Sequence, residues 1–263
     1  MTFSEWLFDD FNNPPIQGQW KLLHILTMLI SIAFIFAFYY IVNYSKNKEK
    51  TRKIILFTLV SLILLFEIAS RMVYIIKKYS FNSIEMVNHS LVWILLPRPW
   101  CAISCWVLMA SVLVNKKFFY NYASLSALLC SVIFFIYPGV GFNNEYILFS
   151  NLYSIVTHAL LLITSITLIT LKFTEFKYEN FYKIAICFVL TYVYGILQIY
   201  VLQIHHDPMY FMPNGDIQAG ILQISYGLYL FAYILLIIIY VNAFYLIQDK
   251  TTVKNFFNKV LKK

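Results

Sequence analysis

From Leu22 onward the chain alternates long runs of apolar residues with short polar, mostly basic, segments. A helix that crosses a ~30 Å hydrocarbon layer needs ~20 such residues, because each advances it ~1.5 Å and its backbone polar groups must be satisfied within the segment. Seven stretches reach that length, at about 22–44, 54–76, 90–113, 118–137, 147–171, 181–203 and 219–247. The pattern predicts an all-α, polytopic membrane helix bundle of about seven transmembrane helices. The last run exceeds what the layer requires, so it is expected to tilt or to end in an interfacial turn. The segments between runs are too short to build a core of their own, so residues 1–263 read as a single membrane domain. No internal repeat divides the chain into related halves, and an odd number of spans argues against the simplest inverted-repeat transporter plan.

Composition sharpens this picture. Hydrophobic residues make up 61% of the chain and charged residues only 12%, which excludes an ordinary soluble domain. A formal net charge of +8 would suggest nucleic acid in a soluble protein. Here the basic residues collect in the connecting segments and report topology instead: Lys46, Lys48, Lys50, Arg52 and Lys53, then Lys116 and Lys117, then Lys172, Lys177 and Lys183, then the tail. By the positive-inside rule the amino terminus lies outside and the carboxyl terminus in the cytoplasm. The expected setting is the plasma membrane, with membrane lipids as partners and no nucleic acid. The first apolar run lacks a basic start and a small-residue cleavage site, so it is expected to remain as a helix. Residues 249–263 form a basic cytoplasmic tail whose apolar and lysine residues interleave, as in a helix end lying on an anionic leaflet. Cys101, Cys105, Cys130 and Cys187 all fall inside apolar runs, where small apolar filling rather than a disulfide framework is expected.

Candidate chemistry begins with Glu67 and Arg71, four residues apart in the second run and therefore on one helix face. Ionisable residues at that depth face a bundle interior or a wet cavity, and they either pair structurally or form a site. Counting along the runs places Glu67, Arg71, Cys101 and His158 at a similar depth in the outer half of the layer. A thiol beside an imidazole supplies a nucleophile and a base, so Cys101 and His158 form a candidate catalytic pair for acyl transfer, with ordinary packing as the alternative for each. In that scheme Arg71 steadies an oxyanion, and Glu67 orients Arg71 or fixes the histidine tautomer. Tyr192, Tyr194 and Gln198 in the sixth run are candidates for a polar groove. His205, His206 and Asp207, at the outer end of the sixth run, read as a solvated cap and turn, with a metal or phosphate headgroup contact as the alternative. Cys101 and Cys105 lack suitably spaced histidines, so no metal site and no cofactor is expected.

The order of these features resembles the YwaF-like family of bacterial integral membrane proteins, which is related to a eukaryotic transmembrane acyltransferase family. The resemblance rests on Glu67 and Arg71, on Leu96-Pro97-Arg98-Pro99-Trp100-Cys101 leading into the third run, and on FSNLYSIVTHALLL bearing His158. Met209, Tyr210 and Pro213 match a family segment after the sixth run, and the likeness covers about residues 54–247. For the related acyltransferases it implies a cysteine and a histidine that move a fatty acyl chain between lipids, and a more distant similarity to membrane hydrolases of lipid esters points to the same reaction class; Glu67, Arg71 and Tyr210, with the groove candidates Tyr194 and Gln198, are then expected around the substrate. Pro99 stands where the family usually has a histidine, which puts catalysis by this chain in question. Two other readings stay open: a transporter or solute-binding subunit built on Glu67 and Arg71, and a lipid-binding protein without catalysis.

Overall fold

The computed structural model describes residues 3–8, 20–80, 96–97, 100–136, 142, 147–201, 213 and 222–249. Among them the regular elements are all helical: α1 (Phe3–Phe8), α2 (Leu22–Tyr44), α3 (Lys48–Ser80), α4 (Trp100–Val114), α5 (Lys117–Ile136), α6 (Phe149–Thr170), a 3₁₀ turn (Tyr178–Asn180), α7 (Phe181–Tyr200) and α8 (Tyr226–Gln248). Six of these, α2, α3 and α5 to α8, are long and apolar enough to cross a membrane, whereas α4 is a shorter apolar helix of 15 residues. The chain therefore has the make-up of a multi-pass, all-helical membrane protein. The final apolar run is shorter as a helix than as a sequence, since α8 starts at Tyr226 and residues 222–225 before it are not α-helical. The tail beyond Asp249 lies outside the described residues.

The described residues fall into two compact units, one within Met1–Pro97 and Cys101–Phe173, the other within Arg98–Trp100 and Thr174–Lys263. In the first unit α6 is central and packs against α5, α2 and α3. The reason is legible in its side chains. Between helices in lipid there is no hydrophobic driving force, so close approach depends on small and hydroxyl-bearing residues. The helix α5 buries Ala123, Ser124, Ser126, Ala127, Cys130 and Ser131, and α6 buries Ser154, Thr157, His158, Thr164, Ser165 and Thr167. Outer helices touch the bundle along one stripe each. Only His24, Ser31 and Val42 are buried on α2, spaced by 7 and 11 residues, while Phe34, Phe36, Tyr39 and Tyr40 point outward.

Two cations close the carboxyl end of α6, where helical carbonyls lack intrahelical partners. The Arg52 Nη1 donates to the Leu171 carbonyl at 3.1 Å, and the Lys117 Nζ donates to the Lys172 carbonyl at 2.8 Å. The Arg52 guanidinium also lies 4.9 Å from the centre of the Phe173 ring, which in turn meets Tyr120. The starts of α3 and α5 are thus tied to the same end of α6. The second unit is built on α7 and α8. Ile184, Phe188, Thr191, Gly195 and Gln198 form the buried stripe of α7, and Tyr229, Ile237, Val241 and Tyr245 that of α8.

Candidate functional site

On α3 the buried positions run Leu56, Leu59, Val60, Ile63, Glu67 and Ser70, one stripe with steps of three and four apart from the adjacent pair Leu59 and Val60. Glu67 therefore occupies a core position by helical periodicity, a full turn beyond Ile63. Its side chain is 2% exposed, against 13% for Arg71. The expected pairing along the helix is present: the Arg71 Nε donates to Glu67 Oε1 at 2.9 Å, and its Nη2 donates to the same oxygen. The other carboxylate oxygen, Oε2, accepts from the Tyr153 hydroxyl at 2.5 Å. Arg71 reaches further, with Nη1 donating to the Leu96 carbonyl at 3.3 Å and its guanidinium carbon 5.9 Å from the Trp106 ring centre.

Four segments meet here for local reasons. Residues 67 and 71 share a face of α3. Tyr153 stands in the opening turns of α6, whose start is set by Asn151, the side chain of which reaches back to accept from the Leu148 N–H at 3.2 Å. Leu96 precedes α4, and Trp106 lies on it. Cys101 and Cys105, one turn apart on α4, are within electrostatic range of the Glu67 carboxylate. A few residues on, the Ser104 hydroxyl joins α4 to α5 through Ser126 Oγ at 2.7 Å and Cys130 Sγ at 3.2 Å.

His158 has a different neighbourhood. Its Nδ1 lies 2.7 Å from the Ser154 carbonyl, so this nitrogen carries the proton and Nε2 is the accepting one. The ring stacks on Phe134 at 3.8 Å with an interplanar angle of 8°, and the residue is 9% exposed. No hydrogen bond joins His158 to Cys101 among the described residues. Along α6, Tyr153, which bonds Glu67, precedes His158 by five residues, or ~7.5 Å of helix.

Of the residues expected around a substrate, Glu67 and Arg71 thus come together. Tyr194 and Gln198 lie on α7 in the second unit, where Gln198 is buried. Tyr192, the third groove candidate, donates to the Leu230 carbonyl at 3.4 Å. Tyr210 lies outside the described residues, as do His205, His206, Asp207 and Pro99. Tyr153 and Trp106 join the site without having been singled out from the sequence. A phenol or indole inside an apolar run is a weak signal in a chain with 21 tyrosines. All four cysteines are free thiols, and no group of three or more metal-ligating side chains converges among the described residues. Comparison of the chain with protein-family models, curated proteins and solved structures gave no match.

Proposed function

We propose that this chain is a plasma-membrane protein of the YwaF-like type that acts on membrane lipids, as an acyltransferase or lipid ester hydrolase. Its polar centre is the Glu67, Arg71 and Tyr153 cluster, and Cys101 is the nucleophile. The observation that carries this reading is a buried Glu67–Arg71 ion pair, bonded by Tyr153, inside an apolar bundle, since ionisable groups held at that depth usually mark a site. Arg71 meets the phosphate of the lipid or the oxyanion that forms at its ester carbonyl, with Glu67 and Tyr153 fixing the guanidinium in place. His158 is in the tautomer a general base needs, because its Nδ1–H is committed to the Ser154 carbonyl and Nε2 is left to accept a proton. Cys101 attacks the acyl carbonyl, its proton passes to His158 Nε2 by way of a water that bridges the two side chains, and the alcohol leaves with that proton. A second lipid or water then takes the acyl group from sulfur and returns the thiol.

Separate Cys101→Ala and His158→Ala variants, expressed at the wild-type level, are expected to change the acyl composition of membrane lipids in the same direction. Unaltered lipid profiles in both would remove the enzyme. The ion pair itself also suits a second reading, transport or binding of an ionic solute. Uptake into proteoliposomes that needs Glu67 and ignores Cys101 is the result that would select it.

The same proposal includes seven spans, with the amino terminus outside and the carboxyl terminus in the cytoplasm. Arg52 and Lys117 both reach the carboxyl end of α6, whereas Leu96 sits with Arg71 more than five turns farther along α3. These contacts support a seventh span, in which the chain between Leu96 and Lys117, with α4, returns across the layer.

A further inference from the structure

Between α2 and α3 the chain turns in three residues, Ser45 to Asn47, and carries a charge excess that neither the packing nor the proposed chemistry uses. Lys46, Lys48, Lys50, Arg52 and Lys53 face a single carboxylate, Glu49, within eight residues. That carboxylate is already neutralised, by Arg52 Nη2 at 2.5 Å and Lys53 Nζ at 3.1 Å. Among the described residues no ion pair engages Lys46, Lys48 or Lys50, and all three are exposed.

The turn is a fixed platform rather than a loose link. The Asn47 Oδ1 accepts from the Lys50 N–H at 3.0 Å and its carbonyl accepts from the Thr51 N–H at 3.0 Å, so it caps α3. The Ser45 hydroxyl accepts from the Asn47 N–H at 3.2 Å and bonds the Thr51 hydroxyl at 2.6 Å. Against this platform lies a groove of about 520 Å³ lined by Asn47, Glu49, Lys50, Lys53, Ile54 and Phe57. Its two ends differ in chemistry. One carries the ammonium groups, and the other runs onto Ile54 and Phe57, which are 54% and 65% exposed at the start of the apolar part of α3.

We infer that this groove binds an anionic phospholipid, with the phosphate between Lys50 and Lys53, where it displaces Glu49 from Lys53 and leaves that carboxylate to Arg52, and the first part of an acyl chain along Ile54 and Phe57. Charge complementarity selects an anion, since basic clusters flanking a span attract acidic headgroups. Continuity of the groove with an exposed apolar helix face at the membrane boundary selects a lipid over a free phosphate. The site is remote from Glu67 and does not depend on the chemistry proposed there.

The test uses the full-length chain in nonionic detergent, with retained phosphatidylglycerol and phosphatidylcholine counted by native mass spectrometry. The wild type is expected to prefer phosphatidylglycerol. Lys50→Gln/Lys53→Gln is expected to lose about 25-fold of that preference, at about 5-fold per lysine, while Lys50→Arg/Lys53→Arg keeps most of it and shows that folding is intact. Phe57→Ala is expected to weaken phosphatidylglycerol retention as well. Equal retention of the two lipids by the wild type, or an undiminished preference in the glutamine variant, would overturn the site. Displacement of the lipid by millimolar inorganic phosphate, with Phe57→Ala behaving as wild type, would overturn the lipid assignment in favour of a soluble anion.

Discussion

Glu67 receives donors on both carboxylate oxygens, two N–H groups of Arg71 on one and the Tyr153 hydroxyl on the other. A buried pair so arranged contributes little net stability compared with an apolar pair, but stranding one partner is costly, at about 3–5 kcal/mol. Arg71→Met alone is therefore expected to lower the unfolding free energy by about that amount. Glu67→Gln combined with Arg71→Met should cost distinctly less than the sum of the two single changes. Thermal or chaotrope unfolding of the purified variants in detergent measures this, and strictly additive losses would show that the two side chains are not coupled. Which parts of the site could be read in advance follows from distance along the chain. The Glu67 and Arg71 contact needs only a spacing of four. Tyr153 and Glu67 are 86 residues apart, and their meeting depends on how α6 is rotated and raised against α3.

At the level of helices, the contact between α5 and α6 rests on small residues whose replacement cannot be absorbed by lipid. Ala127 is fully buried, whereas Val132 on the same helix is 39% exposed. Ala127→Leu is expected to destabilise the protein by about 1–3 kcal/mol through overpacking, and Val132→Leu to leave the unfolding midpoint unchanged. Equal midpoints for the two variants would mean that α5 does not pack through this face. Such a face is invisible to a pattern based on apolar runs, because serine, alanine and threonine lower hydropathy only slightly. They decide the interface through size and hydrogen bonding instead. The third run, expected at about 90–113, is a helix from Trp100 to Val114 among the described residues, and most of its earlier part lies outside them.

For the molecule as a whole, the proposed topology makes a direct prediction. Cysteines placed at Lys50 and Lys116 should react with a membrane-impermeant thiol reagent from the cytoplasmic side only, and one at Trp20 from the outside only. Labelling of positions 50 and 116 from opposite sides would remove α4 from the spans. At this scale the hydropathy pattern is informative, because the lipid layer imposes one length on every crossing and one rule on every backbone polar group. The helical class, the multi-pass character and the placement of α2 and α5 to α7 within a few residues follow from that rule alone.

What the amino-acid order determined unaided was therefore local or set by the solvent: apolar lengths, a basic turn before α3, and a glutamate and an arginine sharing one helix face. Tertiary structure alone decided that Tyr153 completes the carboxylate, that the Leu96 carbonyl and Trp106 receive the guanidinium, and that His158 binds Ser154 and stacks on Phe134 instead of bonding Cys101. The physical reason is that helix periodicity specifies which side chains share a face. The depth and rotation at which two faces meet depend on side-chain volumes and hydrogen bonds across the interface, which no single segment contains.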